Sequence, residues 1–229
     1  MSIWYEVEEA LEAIIDDYIR VNHLISLFQD DKARLKGLKK MGLQNGVVLE
    51  LGSGPGNFTK MLDSVVDGQI ICLDYSRKMI AHARKGEFKD RSHHIRGIFE
   101  RLPIRSSSTK CVTASYALRD SKDKPTMYEE IGRILKNKGS LTIIDIGKPD
   151  NPIIQQVFSL YIKYIVPLIA GLATRHGYKN PWSILFQTYQ LLPINKDLQR
   201  LIENLVGPTE SNKMALGGLI ILSAMKKAR

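Results

Sequence analysis

An α/β fold, with a mostly parallel sheet, helices on both faces and an antiparallel hairpin at its C-terminal end, is predicted for this chain by three observations. Apolar runs of strand length alternate with stretches of helical periodicity between residues 46 and 146, the pattern of parallel strands joined by crossover helices. A glycine-rich turn, Gly52-Ser53-Gly54-Pro55-Gly56, separates the first strand from the first crossover helix. Near the C-terminus, Leu216-Gly217-Gly218 turns into the apolar run Leu219 to Met225. Five parallel strands and this hairpin give seven strands.

Taken in order, Ile3, Val7, Leu11, Ile14 and Tyr18 recur at helical spacing among acids, and a second helix is expected over about 22–41. The first strand covers 46–52, a helix 57–65, the second strand 69–74 and a helix 76–85. A third strand is expected near 93–99 and a fourth over 112–118, followed by a helix over 123–136. Lys136-Asn137-Lys138-Gly139 reads as a turn with Gly139 left-handed. The fifth strand is Leu141 to Ile146, and Pro149 to Pro152 then breaks the alternation. Residues 153–172 are as apolar and nearly as long as a membrane span. Gln155, Gln156 and Lys163 lie within them, however, and Pro167 interrupts them. Two short helices forming an apolar lid able to touch lipid are expected instead of a crossing. Helices over 181–191 and 195–205 precede the hairpin. The chain thus reads as a single domain over 1–229, comprising N-terminal helices (1–44), a cofactor-binding core (45–148), a helical lid (149–205) and the hairpin (206–229).

The 229 residues suffice for one sizeable core. Cys72 and Cys111 both lie in apolar runs, as small core residues in a reducing compartment do. The N-terminal stretch is acidic where a secretory leader is basic, so a cytoplasmic location is expected. Net charge is +9. The basic runs carry no interleaved aromatic residues for base stacking, which argues against a nucleic-acid partner. The histidines and cysteines show no metal-ligand spacing, so no metal is expected.

The glycine turn carries the most chemical information. A dinucleotide site places its third glycine three positions after the second and a pyrophosphate on the helix N-terminus. Here the third glycine, Gly56, follows Gly54 by two, and an acid, Glu50, precedes Gly52 by two. That combination suits a cationic cofactor without phosphate, S-adenosylmethionine (SAM). Gly52, Ser53, Gly54 and Gly56 let backbone approach its methionine part. Asp74, ending the second strand, is placed to accept from both ribose hydroxyls.

These residues resemble the class I SAM-dependent methyltransferases, whose sheet is Rossmann-like. Within them the chain resembles the ubiquinone/menaquinone biosynthesis C-methyltransferases over nearly its whole length. Tyr18 to Ser26, Glu50 to Gly56, Asp74 to Met79, Glu100-Arg101-Leu102-Pro103-Ile104, Ala117-Leu118-Arg119-Asp120, Arg133 to Lys136, Asp145 to Pro149, Tyr164 to Pro167 and Met214 to Gly218 all have counterparts. Ile19 stands where the family has Asp, Ile98 where an acid or polar residue faces the adenine amine, and Asp120 where it has Asn. The resemblance extends the cofactor set to Tyr18, Tyr75, Met79, Phe99 and Ser115. It implies methyl transfer to a prenylated quinol. The basic surface and apolar lid suit weak contact with an anionic membrane surface, and a homodimer is the expected assembly.

Ring C-methylation needs a base and a cation for the phenolate. Arg119, after the fourth strand, is the expected cation, or else a surface partner of Asp120. Asp145, near the end of the fifth strand, is the first base candidate, with His23 and His176 as alternatives. Tyr116 is expected on the acceptor pocket or the methionine part. Other readings are N- or O-methylation of another small molecule, RNA methylation, and a SAM-binding subunit without chemistry.

Overall fold

The computed structural model of the chain describes residues 12, 13, 15, 17–86, 90–174, 177 and 180–227. Most of the helix expected over 3–19, and His176, lie outside them.

Helices α1 (Tyr18–Ile25) and α2 (Gln29–Met41) lead into β1 (Val48–Leu51), α3 (Asn57–Leu62), β2 (Ile70–Asp74), α4 (Arg77–Ala83), β3 (Ser92–Arg96) and β4 (Thr109–Ser115). A 3-10 turn (Leu118–Asp120), α5 (Lys124–Ile134) and β5 (Leu135–Ile146) follow. Then come α6 (Pro152–Leu160), a π turn (Tyr161–Ile165), α7 (Val166–Ala173), α8 (Ile184–Gln190), α9 (Asn195–Leu205), β6 (Thr209–Met214) and β7 (Leu219–Met225). The seven-stranded sheet has the order β3-β2-β1-β4-β5-β7-β6. The first five strands run parallel, and β7 is antiparallel to both β5 and β6.

Successive strand residues face opposite sides of the sheet. Leu49 and Leu51 pack with Met127, Tyr128 and Ile131 of α5 and Ile202 of α9. Val48 faces the other way, with Ala33 and Leu38 of α2 and Phe58 and Leu62 of α3. Cys72 and Cys111 are free thiols buried on that second face. The strand order reverses between β1 and β4, so a crevice opens at their carboxyl ends, where ligands bind in open α/β sheets.

Several boundaries differ from the sequence expectation. The helix expected over 22–41 breaks at Leu27 and Phe28, both at positive φ, with neither glycine nor proline to announce it. The fourth strand ends at Ser115, because Tyr116 turns at φ +58°. The apolar run continues only because Ala117 and Leu118 are buried in the turn itself. β5 starts at Leu135, and the left-handed residue in its first half is Lys138, not Gly139. Gly139 is needed for space instead: a Cβ there would lie 2.8 Å from the Lys136 carbonyl oxygen. The lid is one continuous helix over Pro152–Ala173, not two. Pro167 falls at the start of α7, directly after the wider π turn, where helix geometry tolerates a missing N–H.

This lid helix is long and apolar enough to cross a membrane, yet one face of it packs on protein. Val166 and Ala170 meet Val21 of α1 and Trp182, and Ile162 meets Tyr189 and Leu192. Tyr161 Oη donates to the Ile25 carbonyl at 2.9 Å, and Trp182 Nε1 to Asn22 Oδ1 at 3.4 Å. α1 and the lid are thereby joined.

Candidate active site

The glycine loop follows β1 because Gly52, Gly54 and Gly56 all adopt positive φ, at 67°, 54° and 94°. Gly52 lies so close to the turn after β4 that a Cβ on it would be 2.3 Å from the Ala117 Cβ. A Cβ on Gly54 would meet no protein atom within 4 Å. The Gly54 N–H donates to Asp74 Oδ2 at 2.8 Å, and the Ser76 N–H to Oδ1 at 2.9 Å. The carboxylate at the end of β2 is therefore pinned against the loop. Ser53 Oγ is buried without a hydrogen-bond partner among the described residues. A space beside Gly54, an orphaned hydroxyl and a fixed carboxylate fit the methionine and ribose parts of SAM. Phe99 Cζ is 3.3 Å from the position of a Gly52 Cβ, so its ring abuts the loop. Tyr75 is half-exposed beside the guanidinium of Arg96. Met79 is buried, and its backbone N–H is capped by Ser76 Oγ at 3.1 Å.

Glu50 does not present charge to this space. Its carboxyl is fully buried and accepts from Thr59 Oγ1 of α3 at 2.6 Å. Burial pushes its pKa up to about 8 despite the Thr59 bond, with nearby Asp74 adding to the rise. At neutral pH it is a neutral strut between loop and helix. A group whose pKa is higher in the folded than in the unfolded state favours folding at low pH and loses that contribution as pH rises. The stability of Glu50→Gln relative to wild type is accordingly expected to grow across the window from 4.5 to about 8 and level off above it, with SAM affinity unchanged. Thermal denaturation against pH, beside calorimetric titration with SAM, checks both statements.

A cavity of about 320 Å³ opens beneath the lid and reaches Tyr116, whose neighbour Ala117 abuts Gly52 of the loop. Its wall is mostly apolar, with Val157, Phe158, Tyr161, Ile162 and Val166 of the lid facing Ile25, Ile146 and Leu219. Its polar lining includes Tyr18, Asp30, Arg34, Tyr116 and Arg119. Arg119 is buried: Nη1 donates to the Tyr116 carbonyl oxygen and reaches Asp145 Oδ1 at 3.5 Å, and Nη2 lies 3.5 Å from Asp120 Oδ2. It is therefore not a surface ion pair. Glu100 holds the turn that carries it, accepting at Oε1 from Ser121 Oγ and the Lys122 N–H, both at 2.7 Å. Tyr18 borders the cavity and is close enough to Arg119, Asp120 and Asp74 to feel their charges. It joins the cavity to the cofactor side.

Two expected residues have further partners. Ser115, at the carboxyl end of β4, accepts at Oγ from Arg34 Nε of α2 at 3.1 Å. Asp145 stands behind Arg119, accepting from the Ile146 N–H at 2.8 Å; neither it nor Asp120 lines the cavity, and both meet it through Arg119. The carboxylate better suited to titrate is Asp120. Burial raises its pKa to about 6 against the pull of Arg119, and Oδ1 has no partner among the described residues. Sequence reasoning missed Arg34, which bonds Asp30 at 3.0 Å and Asp31 at 2.7 Å. The acids three and four residues before it on one helix were the available signal. His23, Asp30 and Asp31 are close enough together to ligate a metal, but Arg34 already supplies the cation both carboxylates face.

The sequence profile of the ubiE/COQ5 methyltransferase family matches residues 4–224. A demethylmenaquinone methyltransferase of Lactococcus lactis is 33% identical over 201 residues, which is 85% of this chain and 79% of that one. One of Chlamydia caviae is 29% identical over 201 residues, covering 87% and 86%. Among solved structures, a SAM-dependent methyltransferase of Thermotoga maritima, described as a possible histamine N-methyltransferase, superposes with TM-score 0.68 at 17% identity, covering 96% of this chain and 99% of that one; it shares the Rossmann-like fold. With the glycine loop, Asp74 and the cavity on one sheet edge, the chain is a SAM-dependent enzyme belonging to the ubiE/COQ5 methyltransferase family.

Proposed function

We propose that the protein methylates a ring carbon of a prenylated hydroquinone, with SAM as donor. The observation that carries this reading is the cavity beneath the lid, apolar along the lid and bearing buried arginines on its wall. The relatives named for demethylmenaquinone support it. Bound SAM supplies a methyl group made electrophilic by its sulfonium. The chain's residues do the rest by positioning and charge. Asp74 and the glycine loop hold the cofactor, and the lid excludes water from the ring. A ring carbon becomes nucleophilic when the neighbouring hydroxyl loses its proton, and Arg119 holds the resulting oxyanion. Asp120, off the cavity wall beside Arg119, takes the proton through a bridging water. It stands where the family carries Asn, which cannot titrate, and gives this chain its own base beside Arg119. As the methyl joins the ring its bond to sulfur breaks, leaving a neutral thioether, and the methylated carbon then gives up its hydrogen as a proton to restore the aromatic ring.

The test is incubation of purified protein with SAM and 2-prenyl-1,4-naphthohydroquinone under reducing conditions, with the product identified by mass spectrometry and NMR. A new ring methyl is expected; methyl on oxygen, or on an added amine or RNA instead, refutes the reading. Turnover should rise with pH through about 6 as Asp120 ionises. Asp120→Asn should remove that acidic limb and lower turnover, by about 100-fold for loss of a general base. An unchanged pH–rate profile removes Asp120 from proton transfer.

The lid supports contact with lipid. Ile153, Val157, Leu160, Tyr164, Leu168 and Leu172 form an exposed stripe along its outer face, and Val157 also lines the cavity. A helix apolar on both sides but anchored to protein lies on a bilayer in preference to crossing it. Flotation with anionic vesicles should recover the protein, less so at high salt. Ile153→Ser with Leu172→Ser should reduce recovery without loss of SAM binding.

A further inference from the structure

Arg34 holds Asp30, Asp31 and Ser115, and it is also one of two buried guanidinium groups on the same cavity. The two are built alike. Each is backed by two carboxylates, Asp30 and Asp31 for Arg34 and Asp120 and Asp145 for Arg119. Each also flanks Tyr116: Arg34 Cζ lies 5.1 Å from the ring centroid, and Arg119 donates to the carbonyl oxygen. Burying a second cation beside an apolar cavity is costly unless acceptors satisfy it. The carboxylates offset that cost while leaving the guanidinium on the cavity wall. The hydrogen bonds of Arg34 use Nε and Nη1. In Arg119, Nε is buried without a partner among the described residues. An apolar slot with a cationic donor set on either side of one tyrosine matches a flat ring carrying an oxygen at each end.

We infer that Arg34, with Tyr116, binds the second oxygen of a 1,4-dioxygenated aromatic acceptor, the oxygen remote from the methylated carbon, and thereby selects hydroquinones over monophenols. This rests on the hydroquinone reading above. Arg34 is a specificity-determining residue in this view: it need not touch the reacting carbon, but it fixes the ring so that the correct carbon faces the methyl group.

The experiment compares 2-prenyl-1,4-naphthohydroquinone, kept reduced, with 3-prenyl-1-naphthol, which keeps the hydroxyl beside the methylated carbon and lacks the remote one. For wild type, kcat/KM should favour the hydroquinone by about 100-fold or more, because a site built to bond a hydroxyl rejects the analogue without it. Arg34→Gln should collapse that preference to within about threefold, with the loss falling chiefly on KM for the hydroquinone. Arg34→Lys should restore part of it, as a point charge without the planar fork. Equal loss on both phenols, or no loss on either, overturns the assignment, since Arg34 would then serve only the Asp30–Asp31 cluster or nothing in recognition. A binding measurement on wild type does not depend on any variant folding: in the presence of S-adenosylhomocysteine, the hydroquinone should bind at least about 10-fold more tightly than the naphthol, and equal affinities overturn the proposal. Wild type that methylates neither phenol overturns the acceptor reading itself. Wild type that methylates both equally well overturns only the role of Arg34.

Discussion

Gly54→Val is expected to abolish measurable SAM binding while the chain stays folded. The native φ of +54° is one that an L-residue adopts at a cost of about 1–2 kcal/mol, more for a β-branched one. That is affordable for a domain stable by about 5–15 kcal/mol. The decisive term is space. No protein atom stands within 4 Å of a Cβ on Gly54, so the valine fills the room left for the cofactor without clashing in its absence. Its strain would also move the N–H that pins Asp74. Affinity should fall at least about 100-fold, which is about 2.7 kcal/mol. Gly42 supplies a control for strain without cofactor contact: its φ is +65° and its ψ −173°, a region essentially reserved for glycine, a Cβ there also meets nothing within 4 Å, and it lies at the end of α2, away from the loop. Gly42→Val should lose at least as much stability and keep SAM affinity. Calorimetry and thermal melts on both variants decide the matter; equal SAM affinity in both places the cofactor elsewhere.

Arg119→Lys should lower turnover on the hydroquinone by about 100-fold with little change in SAM affinity. Removing a donor aimed at developing negative charge typically costs about 100- to 1,000-fold in kcat, and lysine retains the charge while losing the fork. Lysine is preferable to alanine here. Arg119→Ala would strand Asp120 and Asp145 in a buried site, a defect of about 3–5 kcal/mol, and would confuse catalysis with folding. A pre-steady-state burst separates the chemical step from product release. If the chemical rate is unchanged in Arg119→Lys, Arg119 is a scaffold for the turn between β4 and α5.

What the sequence could disclose depended on how local each feature is. The glycine loop, Asp74 and the strand–helix alternation are each written in a few adjacent residues, and the structure puts them where that reading expects. The hydroxyl of Ser115 meets Arg34, 81 positions away, a partnership no local pattern reveals. Glu50 looked like a charge for the cofactor because its neighbours in sequence are the loop; its neighbour in space is Thr59, inside the core. The end of β4 was hidden for a related reason. Tyr116, Ala117 and Leu118 are as apolar as a strand, but they belong to a buried turn. Asp120 reads as an ordinary surface acid until burial and the adjoining Asp145 raise its pKa.

The short helix α1 is shared property. Its first residue, Tyr18, borders the acceptor cavity and lies within electrostatic reach of Asp74, while Val21, Asn22 and Ile25 are fastened to the lid. Donor and acceptor therefore act on one body. Whatever free energy the first ligand contributes by settling that body, the second ligand does not have to supply, and the coupling is equal in both directions. In binding terms this is synergy: SAM bound first tightens the acceptor site, and the acceptor bound first tightens that of SAM, by the same factor.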